Sequence, residues 1–109
     1  MNEKDRQIVF ELRNRLTDDV LKHLKRLVLF GSRAKGEETA DSDLDILAIV
    51  DEKNTEIEKR LEDIAYQVMW DNDFKPIISL KVLAESHFLN ALNKGYSFYR
   101  HVEREGITV

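Results

Sequence analysis

Two aspartates separated by a single residue, Asp43 and Asp45, stand at the start of an apolar run. Residues 31–36 form a segment that begins and ends with glycine. Five residues separate this segment from Ser42, which directly precedes the first aspartate. Side chains at positions i and i+2 of a strand lie on one face, about 7 Å apart. Both carboxylates should therefore point the same way, and their repulsion favours a bound cation. Carboxylate oxygens suit Mg²⁺, and backbone amides in a glycine turn suit phosphate oxygens. The pattern predicts a site for a nucleoside triphosphate and magnesium.

The segments on either side of this pattern are expected to be buried strands that position it. Residues 27–30 form a short apolar run that ends at a glycine, which is typical of a strand entering a turn. Residues 46–50 form a second apolar run, and the two aspartates lie at its start. Because side chains alternate across a strand, Leu44 is expected to point away from both carboxylates and into the core.

The residues between the two strands have candidate roles in holding the nucleotide. Ser32 can donate a hydrogen bond to a phosphate oxygen, although a turn hydroxyl can also bond its own backbone. Arg33 and Lys35 could stabilise charge on the triphosphate, with a solvated side chain an equal alternative for each. Ser42 is expected to cap or tighten the loop more than to touch substrate. The candidate nucleotide-binding residues are Gly31, Ser32, Arg33, Lys35, Gly36 and Ser42.

Composition narrows the class of protein. The chain has 109 residues and is expected to form one domain, residues 1–109, with a modest core. Its net charge of −4 argues against general nucleic-acid binding through a phosphate-binding surface. There is no cysteine, no apolar segment of the roughly 20 residues needed to span a membrane, and no signal peptide. These features favour a cytoplasmic protein that has no membrane partner.

Hydrophobic periodicity predicts the element order α, β, β, α, β, α. This order indicates an α/β (α+β) fold with a small mixed sheet and helices packed mainly on one side. A first helix covers residues 4–16; Thr17 either caps a second short helix or lies inside one longer helix. Thr55 and Glu58 are expected to form a capping box at the start of the next long helix. The aromatic residues expected mainly in the core, with part of the last three open as a partner surface, are Trp70, Phe74, Phe88, Tyr96, Phe98 and Tyr99.

The central motif resembles that of the minimal nucleotidyltransferases, small relatives of DNA polymerase beta. The matching residues are Gly31-Ser32-x-Ala34-x-Gly36 and Ser42-Asp43-x-Asp45, with Leu29-Phe30 before them and a weaker likeness over residues 97–107. The resemblance implies the nucleotidyltransferase fold and transfer of a nucleoside monophosphate from an NTP, ATP foremost, to a hydroxyl acceptor. It also implies that Asp43 and Asp45 are the catalytic residues and the Mg²⁺ ligands.

The third strand departs from the family pattern. Active relatives usually carry a third carboxylate there, whereas alternation in residues 77–82 places Ser79 and Lys81 on one face. Neither side chain is an acid, and a lysine would repel a metal ion. Two functions from different classes therefore stay open. One is a metal-dependent nucleotidyltransferase; the other is a catalytically degenerate module that binds nucleotide or neutralises a partner by complex formation.

The resemblance also implies a second polypeptide, because larger relatives carry a fused acceptor-binding domain that the sequence does not include. Minimal nucleotidyltransferases are often paired with a small helical HEPN protein, as the antitoxin of a toxin–antitoxin system. The acceptor can then be a tyrosine of the HEPN partner. Association with further copies of this chain is possible as well.

Overall fold

The computed structural model describes all of residues 1–109. The four strands are β1 Leu24–Phe30, β2 Leu44–Val50, β3 Ile78–Ala84 and β4 Ile107–Thr108. The six helices are α1 Glu3–Arg15, α2 Asp18–Leu21, α3 Gly31–Lys35, α4 Thr55–Asp71, α5 Glu85–Asn93 and α6 Ser97–Glu105. The predicted element order is confirmed, and four elements are added to it: α2, α3, α6 and β4. Residues 31–35 form a helix rather than an open turn, and β4 follows the last helix.

The four strands form one mixed sheet in the order β3-β2-β1-β4. Strand β2 pairs antiparallel with β1 and parallel with β3, and β4 pairs antiparallel with β1. A parallel pair requires a long crossover, which α4 supplies between β2 and β3. The antiparallel connection between β1 and β2, residues 31–43, contains α3 and all of the candidate site residues except Asp45.

Most of the core lies on one face of the sheet, as the sequence predicted. Eighteen buried residues from α1, α2, α3, α4 and alternate positions of the three long strands form this cluster. A second cluster of five buried residues lies on the opposite face, where Phe88 of α5 and Val102 of α6 pack on Val28, Leu47 and Ile49. Strand β2 is therefore covered on both sides along most of its length, and only its second residue, Asp45, reaches solvent.

Local capping differs in detail from the sequence prediction. Asn54, not Thr55, caps α4, because its side chain accepts a hydrogen bond from the Ile57 N–H at 2.8 Å. Helix α1 ends at Arg15, and Thr17 precedes a separate short helix, which settles the alternative left open there. No helix combines the length and the apolar character needed to cross a membrane.

The aromatic residues divide between core and surface. Phe88 is buried, but Trp70 is 63% exposed, so the expectation of a core position is wrong for Trp70. Tyr96 is 55% exposed, in agreement with the expectation that part of the group formed with Phe98 and Tyr99 lies open. Phe98 and Tyr99 are half-buried and pack edge-to-face, with ring centroids 5.2 Å apart.

Candidate active site

The two aspartates lie where β2 begins, on the face of the sheet opposite the main core. Leu44 between them is fully buried in the main cluster, whereas Asp45 is half-buried and Asp43 is exposed. Asp45 stands directly across from Phe30 in the antiparallel pair with β1. The alternation predicted from the sequence is thus present, and it leaves the two carboxylates close enough to repel each other.

The turn into α3 brings the backbone of Gly31 against the Asp45 carboxylate. Gly31 has a φ of +79°, in the left-handed region that favours glycine. A Cβ added at this position would overlap Oδ2 of Asp45. Glycine is required here for two independent reasons, and the contact fixes where the Asp45 carboxylate sits relative to the start of α3.

Asp45 occupies an environment that disfavours its charge. Burial raises the pKa of the Asp45 carboxyl, the neighbouring Asp43 raises it further, and Lys81 acts in the opposite direction. The fold therefore holds two acids together at a position where a cation would relieve the unfavourable charge.

Ser32, in the first turn of α3, presents a hydroxyl that makes no hydrogen bond within the protein. Arg33 and Ser42, by contrast, form hydrogen bonds to other groups of the protein through their side chains. Backbone N–H groups in the first turn of a helix also have no partner within the helix. Ser32 thus offers a free hydroxyl one residue from the point where Gly31 meets Asp45.

Arg33 is placed differently from either alternative drawn from the sequence. Its side chain is 8% exposed and forms an ion pair with Asp5, which is 1% exposed. One terminal nitrogen donates to both Asp5 oxygens at 2.9 and 3.1 Å, and Nε donates to the Ser42 carbonyl at 2.7 Å. The other terminal nitrogen donates to the Thr39 carbonyl at 3.3 Å. Arg33 is neither solvated nor turned toward a bound phosphate; it ties the loop before Asp43 to helix α1.

The remaining candidates organise the loop and its edge. The Ser42 hydroxyl accepts a hydrogen bond from the Thr39 N–H at 2.9 Å, so it tightens the loop as expected. Gly36 ends α3 in a left-handed conformation with a φ of +75°. Lys35 lies on the surface, where its ammonium pairs with Glu105 of α6 at 2.8 Å. This hydrogen bond raises the pKa of Lys35.

The third strand brings no acid to the site. In the parallel pair, Ser79 stands beside Asp45, and Lys81 stands beside Leu47, one step further along the same face. The structure contains no cluster of three or more His, Asp or Glu side chains able to hold a metal ion. The departure from the family pattern seen in the sequence is thus present in three dimensions.

Two carboxylates nevertheless form a donor set that fits one role of magnesium. Mg²⁺ is commonly held by one or two protein carboxylates together with substrate phosphates and water, rather than by an all-protein cage. Asp43 and Asp45 provide those two carboxylates, and the charge disfavoured at Asp45 is the physical sign that a cation suits this position.

A cleft of about 600 Å³ adjoins the site on the other side of the loop. It lies between the first residues of the chain, the loop and residues 74–77, and Ser42 and Asp43 form part of its wall. Gly31, Ser32 and Asp45 do not line it. Asp43 is therefore accessible from this cleft.

Asp5 is the residue of this region that motif reasoning missed. Its carboxylate accepts two hydrogen bonds from Arg33 and thereby anchors the loop that Arg33 holds. A signal was present in the sequence, because positions 5, 8, 9 and 12 share one helical face and the last three are Ile8, Val9 and Leu12. An acid on a buried face requires a cationic partner.

Comparison with known proteins agrees with this geometry. Residues 10–99 match the model of the nucleotidyltransferase domain family. A candidate protein adenylyltransferase of Methanocaldococcus jannaschii is 33% identical over 92 residues, which cover 82% of this chain and 93% of that protein. Among solved structures, a crystal structure of a toxin–antitoxin with AMP-PNP has the same fold, with a TM-score of 0.53. That match is 17% identical in sequence and covers 95% of this chain and 70% of the other. The chain belongs to the nucleotidyltransferase domain family, in its minimal, DNA polymerase beta-like form.

Proposed function

We propose that this protein transfers a nucleoside monophosphate from an NTP to a hydroxyl acceptor and releases pyrophosphate. The observation that supports the proposal is the close approach of Gly31, at the start of α3, to the carboxylate of Asp45, near the start of β2. ATP is the nucleotide we favour, because the relative from M. jannaschii is named as an adenylyltransferase and the structural neighbour carries an ATP analogue.

In this proposal the chain positions the reactants and forms no covalent intermediate with them. Ser32 and the first-turn amides of α3 bind the triphosphate, and Asp43 and Asp45 would hold Mg²⁺. When bound, the metal neutralises charge on the phosphates and on the departing pyrophosphate. The acceptor oxygen bonds to the α-phosphorus, the bond from the α-phosphorus to the pyrophosphate oxygen breaks, and the acceptor proton passes to solvent. Most of the rate enhancement would come from orientation and charge stabilisation.

We further propose that the acceptor is a tyrosine on a separate helical HEPN-type protein, which this chain neutralises as an antitoxin. The structural neighbour belongs to a toxin–antitoxin pair, which supports a protein partner. Asp43 lies at the surface beside an open cleft, so an acceptor carried on another protein could approach it.

The first experiment is a calorimetric titration of ATP into the wild-type protein and into an Asp43→Asn, Asp45→Asn double variant, each with and without Mg²⁺. The expected result is that Mg²⁺ strengthens ATP binding by the wild-type protein and that the variant loses this gain. Loss through unfolding is not expected, because the raised pKa of Asp45 means that its charge disfavours the folded state. Equal Mg²⁺-dependent binding by both proteins would refute the proposed roles of the two aspartates.

Transfer is then measured with labelled ATP and a HEPN protein as acceptor. Label from the α-phosphate should become attached to the acceptor, and label from the γ-phosphate should not, since pyrophosphate leaves. Attachment of γ-label would indicate phosphoryl transfer and overturn the proposed reaction.

The alternative, a degenerate module that neutralises its partner by binding, is favoured by one observation. Neither Ser79, which stands beside Asp45, nor Lys81 is an acid, and the family pattern has an acid on this strand. The double variant separates the two functions. An enzyme loses neutralisation together with transfer, whereas an occluding module keeps neutralisation when both aspartates are replaced.

A further inference from the structure

Lys81 lies on the face of the sheet that carries the two aspartates. Its neighbours in β3 alternate, with Val82 in the main core and Leu83 packed on the opposite cluster. Lys81 and Ser79 therefore share the face of Asp45. Strand β3 is the edge of the sheet, and the Lys81 side chain is exposed there.

The register brings the Lys81 ammonium within reach of the site. Lys81 is one side-chain step beyond Ser79, which stands beside Asp45. Asp45 and Lys81 are therefore diagonal neighbours on adjacent strands, an arrangement in which a long side chain can reach across. Lys81 is close enough to lower the pKa of Asp45, against burial and against Asp43.

The Lys81 ammonium forms no ion pair with any carboxylate of the protein. Lys35, by contrast, pairs with Glu105, and Lys59 of α4 pairs with Asp63. A strongly hydrated point charge on a flexible stem is well suited to bind phosphate, and it needs no fixed hydrogen-bond geometry to do so.

We propose that Lys81 binds the triphosphate of the nucleotide and thereby supplies positive charge to the site from the protein itself. This inference rests on the proposed nucleotide site. A third acid would add negative charge beside a polyanionic ligand and make binding depend wholly on divalent cations. A lysine at this edge has the opposite effect, so the protein should retain part of its nucleotide affinity when divalent cations are removed.

The test is a titration of ATP in EDTA and in Mg²⁺, using wild-type protein, Lys81→Met and Lys81→Arg. Lys59→Met is the matched control, because Lys59 lies on α4, which packs on the opposite face. In EDTA, wild-type protein and Lys59→Met should bind ATP measurably. Lys81→Met should bind at least about tenfold more weakly, and Lys81→Arg should keep most of the affinity. In Mg²⁺ the loss in Lys81→Met should be smaller. Circular dichroism checks that each variant is folded. We expect all of them to fold, because the substituted side chains are exposed.

The outcomes distinguish this inference from the proposed function. Equal affinity of wild type and Lys81→Met in EDTA overturns the role of Lys81 and leaves the nucleotide site intact. The same conclusion follows if wild type binds ATP only when Mg²⁺ is present. Absence of wild-type binding under both conditions overturns the proposed function and the role of Lys81 with it.

Discussion

Replacement of Arg33 by methionine should destabilise this protein more than replacement of any exposed lysine or arginine. The guanidinium is 8% exposed and donates hydrogen bonds to Asp5, to the Ser42 carbonyl and to the Thr39 carbonyl. Removing it leaves the Asp5 carboxylate, 1% exposed, without a cationic partner. Breaking one side of a buried ion pair in this way costs about 3–5 kcal/mol. At roughly 4 °C per kcal/mol for a chain of this size, Tm should fall by about 12–20 °C.

The assay is thermal unfolding followed by circular dichroism, with two comparison variants. Lys35→Met removes an exposed ion pair with Glu105 that water and salt screen, so its Tm should fall far less than that of Arg33→Met. The double variant Asp5→Leu, Arg33→Met removes both charges and should recover a large part of the loss, because no buried carboxylate is then left unpaired.

ATP titration of Arg33→Met decides between the structural role and a direct phosphate contact. If Arg33 anchors the loop, stability and ATP affinity fall together, since the loop leads into Asp43. A variant whose Tm stays within about 2 °C of wild type while ATP binding is lost would refute this reasoning. Such a result would return Arg33 to the phosphate-binding role that its position in the motif suggested.

Two further predictions concern the turn at Gly31 and the pH dependence of stability. Gly31→Ala should lower the free energy of unfolding by about 1–2 kcal/mol because of the positive φ, and it should abolish Mg²⁺-dependent ATP binding because the added Cβ displaces the Asp45 carboxylate. The control is Gly36→Ala, which has a similar φ but open space around the added Cβ and should lose mainly stability. Equal ATP affinities of the two variants would contradict this prediction. The Asp51 pKa is lowered by a hydrogen bond from the following backbone N–H and by His23. Stability from Asp51 is therefore present above its unfolded-state pKa and is lost as pH falls through the lower folded-state pKa. Urea unfolding from about pH 5 to pH 2 should show a steeper loss for wild type than for Asp51→Asn, and parallel curves would disprove it.

The sequence by itself determined the elements around the site and the direction of its acids. Apolar runs, glycines and the alternation around Leu44 are local signals, because side-chain direction in a strand depends only on the period of two. Residues 27–30 and 46–50 lie within β1 and β2, and the carboxylates point away from the main core, as predicted. The same rule placed Ser79 and Lys81 on one face before any strand pairing was known.

Only the tertiary structure decided what each polar side chain contacts. The register of β2 against β3 sets Ser79 beside Asp45, and strand order leaves Lys81 at an exposed edge. The residues around Arg33 in the sequence do not indicate whether its side chain faces a phosphate or another part of the protein. Its partner Asp5 lies 28 residues away and comes close only when α1 packs on the sheet. Pairing of charges and exposure of side chains depend on such long-range contacts, which cannot be predicted from the spacing of residues along the chain.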